Sequence, residues 1–261
     1  FRKREDVKKM CENSYFLPIG YEKNSAEAYG IDLRRTFSYL IAGQARTGKK
    51  NTMKIMIQAA AMRGAAVVII EHGSSEFKLV ADEVGAKYLH NEEEQAEYFT
   101  KLVPEFVERN KKKNQLKEQG VDEEDIYSMM QEFKETYIFI TDIGKFMNTL
   151  YQPSAEITKI APFLENIAEK GSMHNIYLMA IHNNAETSSY MGYRFYNAMT
   201  EYHVGIQLGG NAANTAFFDF SDLSFTEQNQ TQRLGIGMVP KDNDDRGVMQ
   251  IVIPQYRRQV R

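Results

Sequence analysis

Phe37-Ser-Tyr-Leu-Ile-Ala42, Gly43-Gln-Ala-Arg-Thr-Gly48-Lys49 and Lys50-Asn-Thr-Met-Lys-Ile-Met-Ile-Gln-Ala-Ala-Ala61 follow one another without a break. They read as a short apolar strand, a glycine-bounded turn and a helix. A loop built to hold phosphate needs this order. Glycines let the backbone curl so that its N–H groups converge, the helix N-terminus adds positive potential, and the lysine reaches the terminal phosphates. An ordinary strand-to-helix turn can also carry two glycines; the lysine at the helix start sets this one apart. The candidate nucleotide-binding residues are Gly43, Gln44, Ala45, Arg46, Thr47, Gly48, Lys49, Lys50 and Asn51, with Gly43, Gly48 and Lys49 expected at the phosphate.

The position after the lysine ordinarily carries Ser or Thr, whose hydroxyl ligates Mg²⁺. Here it is Lys50, which offers no oxygen and repels a cation. Asn51 and Thr52 come one and two positions late, and successive helix positions point about 100° apart. Lys50 is expected to offset phosphate charge in place of the metal, so ATP is the candidate ligand and no metal site is expected. The supporting acid would end another strand. Tyr137-Ile-Phe-Ile-Thr-Asp142-Ile143 supplies Asp142, which could equally be a helix cap. Ile143 stands where a carboxylate would activate water, and it cannot accept a proton. No catalytic residue is assigned with it. Glu71, at the end of Ala66–Ile70, is either a displaced carboxylate or a plain strand-end charge. His182, after Asn175–Ile181, is either a sensor of the terminal phosphate or a structural hydrogen-bonding residue.

Apolar runs at Phe37–Ala42, Ala66–Ile70, Tyr137–Thr141, Asn175–Ile181, His203–Leu208 and Val248–Ile253 are mostly continuous, as in strands covered on both faces. Lys49–Met62, Glu92–Lys117, Glu123–Phe133, Ile157–Glu169 and Tyr193–Met199 read as helix between them. Alternation of the two predicts an α/β domain with a mainly parallel sheet. Residues 1–36, with Leu17-Pro-Ile-Gly20 and Tyr29-Gly-Ile-Asp-Leu33, read as an extended N-terminal segment packing on the edge of a domain spanning 37–261. The basic run Arg109, Lys111, Lys112, Lys113 and Lys117 reads as a solvated helix face, and Arg257, Arg258 and Arg261 as a basic terminus. Asp219–Arg233 is polar and irregular.

The 261 residues carry 32 Lys+Arg and 35 Asp+Glu, a formal charge of −3, which weighs against a surface built throughout for nucleic acid. Cys11 is the only cysteine, excluding an intrachain disulfide and a thiolate zinc cluster. His72, His90, His174 and His203 lack metal-ligand spacing. The most apolar stretch, Ala59–Ile70, is too short to span a bilayer and contains Arg63, so no membrane insertion by this segment is expected. The first residue is Phe1 rather than Met, and the chain is expected to be an excerpt from a longer polypeptide.

From Leu17 to Pro254 the chain resembles the FtsK/SpoIIIE class of P-loop ATPases. The residues that carry the resemblance are Leu17-Pro-Ile-Gly20, Ile31-Asp-Leu33, Leu40-Ile-Ala-Gly-Gln44 leading into the loop, the Asp142 strand, and Gly171-Ser-Met-His-Asn-Ile-Tyr-Leu-Met-Ala-Ile-His182. Tyr202-His-Val-Gly-Ile-Gln-Leu-Gly-Gly210 and Gly235-Ile-Gly-Met-Val-Pro240 look most like type VII secretion ATPases of the EssC/EccC kind, in a degenerate C-terminal ATPase domain. The resemblance implies a RecA-like P-loop NTPase fold and a cytoplasmic domain of a membrane-anchored protein. It also implies neighbouring ATPase domains in the same chain, ring assembly, and secreted protein substrates bearing an export signal. Lys50, Ile143 and the lack of an arginine in Tyr202–Leu208 depart from the pattern and imply little or no hydrolysis. A DNA translocase of the same class is the alternative reading, and DNA is not the expected partner.

Overall fold

The computed structural model describes residues 1–258 apart from 14, 35, 37, 154, 216–217 and 241–246, so Phe37 and Arg261 lie outside the described residues. In chain order the elements are α1 (Glu5–Glu12), β1 (Phe16–Glu22), β2 (Ala28–Asp32), β3 (Ser38–Gly43), α2 (Lys49–Met62), β4 (Ala66–Ile70), α3 (Lys78–Val84), β5 (Lys87–Leu89) and α4 (Glu92–Glu118). They continue with α5 (Glu123–Met130), β6 (Thr136–Ile140), α6 (Ile143–Leu150), α7 (Ala161–Lys170), β7 (Ile176–Asn183), α8 (Thr187–Tyr190), α9 (Arg194–Thr200), β8 (Gly205–Leu208), α10 (Phe225–Asn229), β9 (Ile236–Val239) and β10 (Met249–Val252).

Among the described residues the ten strands form one sheet in the order β2-β1-β10-β9-β8-β3-β7-β6-β4-β5. The six strands from β8 to β5 run parallel, and β9, β10, β1 and β2 extend the sheet by antiparallel pairing. The continuous apolar runs have the reason expected of them, because alternate residues face opposite layers. Leu40, Ala42, Val68, Ile70, Ile138, Ile140, Leu178 and Ala180 pack on one side with Phe99, Phe146 and Phe195. Tyr39, Ile41, Val67, Ile69, Tyr137, Phe139, Tyr177 and Met179 pack on the other with Met53, Met56 and Phe77. Helices on both faces of a mainly parallel sheet make a three-layer α/β architecture.

Several expectations are corrected by the tertiary structure. Residues in the N-terminal segment form a short helix and the β1–β2 hairpin, whose first strand pairs with β10 at the sheet edge. Arg63, at the end of α2, anchors that segment: its guanidinium donates to the Asn13 and Phe16 carbonyl oxygens at 2.5 and 2.7 Å and pairs with Glu135 at 2.6 Å. Arg109 does not lie on a solvated face. It is 3 % exposed and donates to the carbonyl oxygens of His174 (2.7 Å) and Lys134 (3.1 Å), tying α4 to the loops that feed β6 and β7. A guanidinium with five donors can satisfy several loop carbonyls at once, so its burial costs less than its charge suggests. β7 starts one residue later than expected and runs through His182 and Asn183. His203 lies outside β8, in a left-handed conformation (φ 53°) before it. α1, α3, α6, α8, β5 and β9 are additional elements, as is α10, a short helix within the stretch Asp219–Arg233 expected to be irregular.

Register sets the functional edge. Gly43 at the end of β3 stands opposite Asn183 on β7 and Leu208 on β8, so the carboxyl ends of the three central strands open onto the turn before α2. In open α/β sheets, ligands bind at this edge.

Candidate functional site

The turn between β3 and α2 has the backbone its glycines permit. Gly43 lies at φ 147°, Arg46 at 63° and Gly48 at 100°. A side chain at Gly43 would run into the Leu208 carbonyl oxygen on β8, whereas the space around Gly48 is open. Glycine is needed at 43 for both reasons, sterics and φ. Thr47 Oγ1 donates to the Gln44 carbonyl oxygen at 2.8 Å and pins the loop internally.

Lys49 is 9 % exposed, and its ammonium folds back onto the loop, donating to the Gly43 carbonyl oxygen at 2.8 Å and to that of Gln44. Burial pulls its pKa down to about 8, while the carboxylates of Glu186 and Asp142 act in the opposite sense. The amine therefore sits against its own loop, with two backbone carbonyls as its acceptors. Thr47, Gly48 and Lys49 fit a phosphate group.

Lys50 and Asn51 diverge from the loop as helical geometry dictates. The Lys50 ammonium pairs with Glu76 at 2.6 Å, both side chains half exposed, and this bond holds the Glu76 carboxyl below its usual range. Asn51 spends both ends of its amide on the C-terminal segment, donating to the Pro254 carbonyl oxygen and accepting from the Tyr256 N–H, each at 2.8 Å. Of the nine candidate residues, Gly43 to Lys49 come together, and these two side chains point elsewhere.

Asp142 caps α6: its Oδ1 accepts the Lys145 N–H at 3.0 Å. Its charge still reaches Lys49. Ile143 is 1 % exposed and packed in the core, so no polar group approaches the loop from that position. Glu71 is fully committed to shaping its own loop. Ser74 Oγ and the Glu76 N–H donate to one oxygen, and the Phe77 N–H (3.0 Å) and Tyr88 hydroxyl (2.8 Å) donate to the other. The plain structural role expected as one alternative fits this geometry.

His182 lies inside β7 opposite Ala42, fully buried, with its Nε2 at 2.9 Å from the Tyr196 hydroxyl. Burial pushes its pKa down to about 4, so the ring is neutral near pH 7. A residue two positions on touches the β3–α2 turn. Asn184 Oδ1 accepts the Gly43 N–H at 3.1 Å, and its Nδ2 donates to Gln207 Oε1 at 3.1 Å. Gln207 Nε2 in turn donates to the Gly209 carbonyl oxygen at 3.1 Å. Gly209 lies against Thr47 so closely that a Cβ would collide with it, and Gly210 borders Gln44. Gln207 occupies a strand that the sequence predicts but to which it assigns no site residue, noting there only the lack of an arginine.

A second carboxylate was missed. Glu186, just after β7, accepts from Asn183 Nδ2 at 3.0 Å and from the Tyr190 hydroxyl at 2.9 Å. The only sequence signal was the polar run Asn183-Asn-Ala-Glu186 after an apolar strand. Neither Lys50 nor Ile143 supplies oxygen for Mg²⁺, and among the described residues no group of three or more His, Cys, Asp or Glu is placed to hold a metal ion. The donor set fits phosphate and does not fit the usual coordination of the ion.

No family model matches this chain, and no curated relative does. Solved structures do match. The cytoplasmic domain of EssC superposes with a TM-score of 0.70 at 16 % identity, covering 95 % of this chain and 46 % of that one. EccC (ATPases 2 and 3) of Thermomonospora curvata, in complex with a signal sequence peptide, gives 0.66 at 13 %, with coverages of 95 % and 42 %. The conjugation coupling protein TcpA of pCW3, in monomer form with ATPγS, gives 0.68 at 17 %, with coverages of 94 % and 67 %. The fold of this chain is therefore that of P-loop ATPase domains of the EssC, EccC and coupling-protein kind. It spans less than half the length of the EssC and EccC structures. No helix among the described residues is long and apolar enough to cross a membrane.

Proposed function

We propose that this chain is a degenerate ATPase domain of a type VII protein secretion motor, binding nucleotide weakly or statically and hydrolysing it slowly or not at all. The observation that carries the reading is the Gly43–Lys49 loop. It is shaped for phosphate and holds its lysine, yet Lys50 is turned to Glu76 and Ile143 is buried where metal and water chemistry would need oxygens. In this reading the domain works within a longer, membrane-anchored polypeptide on the cytoplasmic side. It packs against neighbouring ATPase domains of the same chain and supports ring assembly and the recognition of secreted substrates bearing an export signal. EccC bound to a signal sequence peptide supports that assignment by fold, and TcpA bound to ATPγS supports the nucleotide.

Calorimetric titration of the purified chain with ATP, with and without Mg²⁺, tests it. Saturable binding that Mg²⁺ changes by less than about threefold is the expected result, since no protein oxygen at position 50 joins the metal to the phosphates. No heat and no thermal shift at millimolar ATP would remove nucleotide binding from the role of this domain.

A further inference from the structure

The carboxylate missing from position 143 has a spatial substitute. The backbone beside Ile143 is bare because residue 144 is glycine, and the room a side chain would fill there is taken from another element. A Cβ on Gly144 would meet the Tyr190 hydroxyl and stand 3.1 Å from Glu186 Oε2. The Glu186 carboxylate is oriented by two donors on opposite oxygens, Asn183 to Oε1 and Tyr190 to Oε2. A carboxylate has about four acceptor sites, so each oxygen keeps one free. Glu71 differs in this respect, since two donors already meet each of its oxygens. Glu186 follows Asn183, which stands opposite Gly43 at the start of the loop, and its charge, like that of Asp142, acts on Lys49.

We propose that Glu186 is the general base for whatever ATP hydrolysis this domain performs, replacing the acid absent at position 143. With the terminal phosphate held at Lys49, the oxygen of a water forms a bond to the γ-phosphorus. The bond from that phosphorus to the bridging oxygen breaks, and ADP leaves with the electron pair. The proton of the water passes to Glu186, which later releases it to solvent. The Tyr190 and Asn183 bonds hold the carboxylate in one orientation, and a positioned base of this type is worth about 10²–10⁴ in rate. The inference rests on the nucleotide-binding reading above.

The test measures ATP affinity by calorimetry and phosphate release under saturating ATP and Mg²⁺, in the unmodified chain, Glu186→Gln and Glu186→Asp. The expected result is an affinity within about threefold across all three, with release at least about a hundredfold slower in Glu186→Gln and partly restored in Glu186→Asp. A purely structural role would move affinity or folding in Glu186→Gln without this split between turnover and binding. Release in Glu186→Gln within threefold of the unmodified chain would overturn the proposal. So would ATP binding by the unmodified chain with no release above an enzyme-free control, and that outcome leaves the binding reading intact. Absence of ATP binding by the unmodified chain would instead refute the parent reading, and this one with it.

Discussion

Raising the pH from 7 to 9 discharges Lys49 in the free protein, and nucleotide affinity should register it. Burial holds the lysine at about 8, well below an ordinary ammonium, and its present acceptors are two neutral carbonyls of its own loop. A phosphate arriving there favours the charged form and returns the group toward its ordinary value near 10.4. The sign follows: a group whose pKa rises on binding takes up a proton, so binding weakens as pH climbs through the free-state value. With a free-state value of 8, Lys49 is about nine-tenths charged at pH 7, half at pH 8 and one-tenth at pH 9. Affinity should fall about tenfold between pH 7 and 9, or about 1.4 kcal/mol, with uptake of about half a proton per nucleotide at pH 8. Phosphate groups, with a second pKa near 6, are already ionised across this window. Calorimetry in two buffers of different ionisation heat measures the uptake directly. Lys49→Arg, charged at every pH used, should be flat. An affinity constant within twofold from pH 7 to 9, with uptake below about 0.1 proton at pH 8, would refute the argument that Lys49 is the buried phosphate ligand.

Acid should destabilise the fold before most carboxylates titrate. His174 and His182 are fully buried, and burial pushes each pKa down to about 4. Both are neutral in the native state, whereas the unfolded chain binds protons from about pH 6.5 downward. Stability is therefore held above pH 6.5 and lost as pH falls toward 4, by about 2 kcal/mol from each histidine at pH 5. Urea unfolding at pH 7 and pH 5 measures this, and equal free energies would contradict the burial argument. Asn51→Ala should free the segment around Pro254 and Tyr256, costing about 1–2 kcal/mol for two hydrogen bonds and speeding C-terminal proteolysis. ATP affinity should stay within twofold, and a tenfold loss would restore Asn51 to the nucleotide site.

The residues from Ser38 to Ala61 determined the strand, the turn and the helix by themselves, because glycine freedom, lysine reach and helical propensity act within a few positions. The apolar runs likewise announced a sheet covered on both faces, since an unbroken apolar run leaves neither face of a strand polar, whatever its neighbours. Arg109 shows the limit of such local rules. Its basic neighbours suggested a wet helix face, and only the return of the loops before β6 and β7 buries it among carbonyls. Asn51 reads as part of the loop until the chain end, some two hundred residues later, claims both its amide atoms. The β1–β2 hairpin became part of the sheet because β10 offers it an edge to pair with. Asn184 and Glu186 carried no motif at all. Asn184 reaches the loop, and the charge of Glu186 acts on Lys49, because β7 lies beside β3 in the register that sets Asn183 opposite Gly43. Which residues stand next to the phosphate loop depends on strand order, and strand order is a property of long-range packing rather than of any segment read alone.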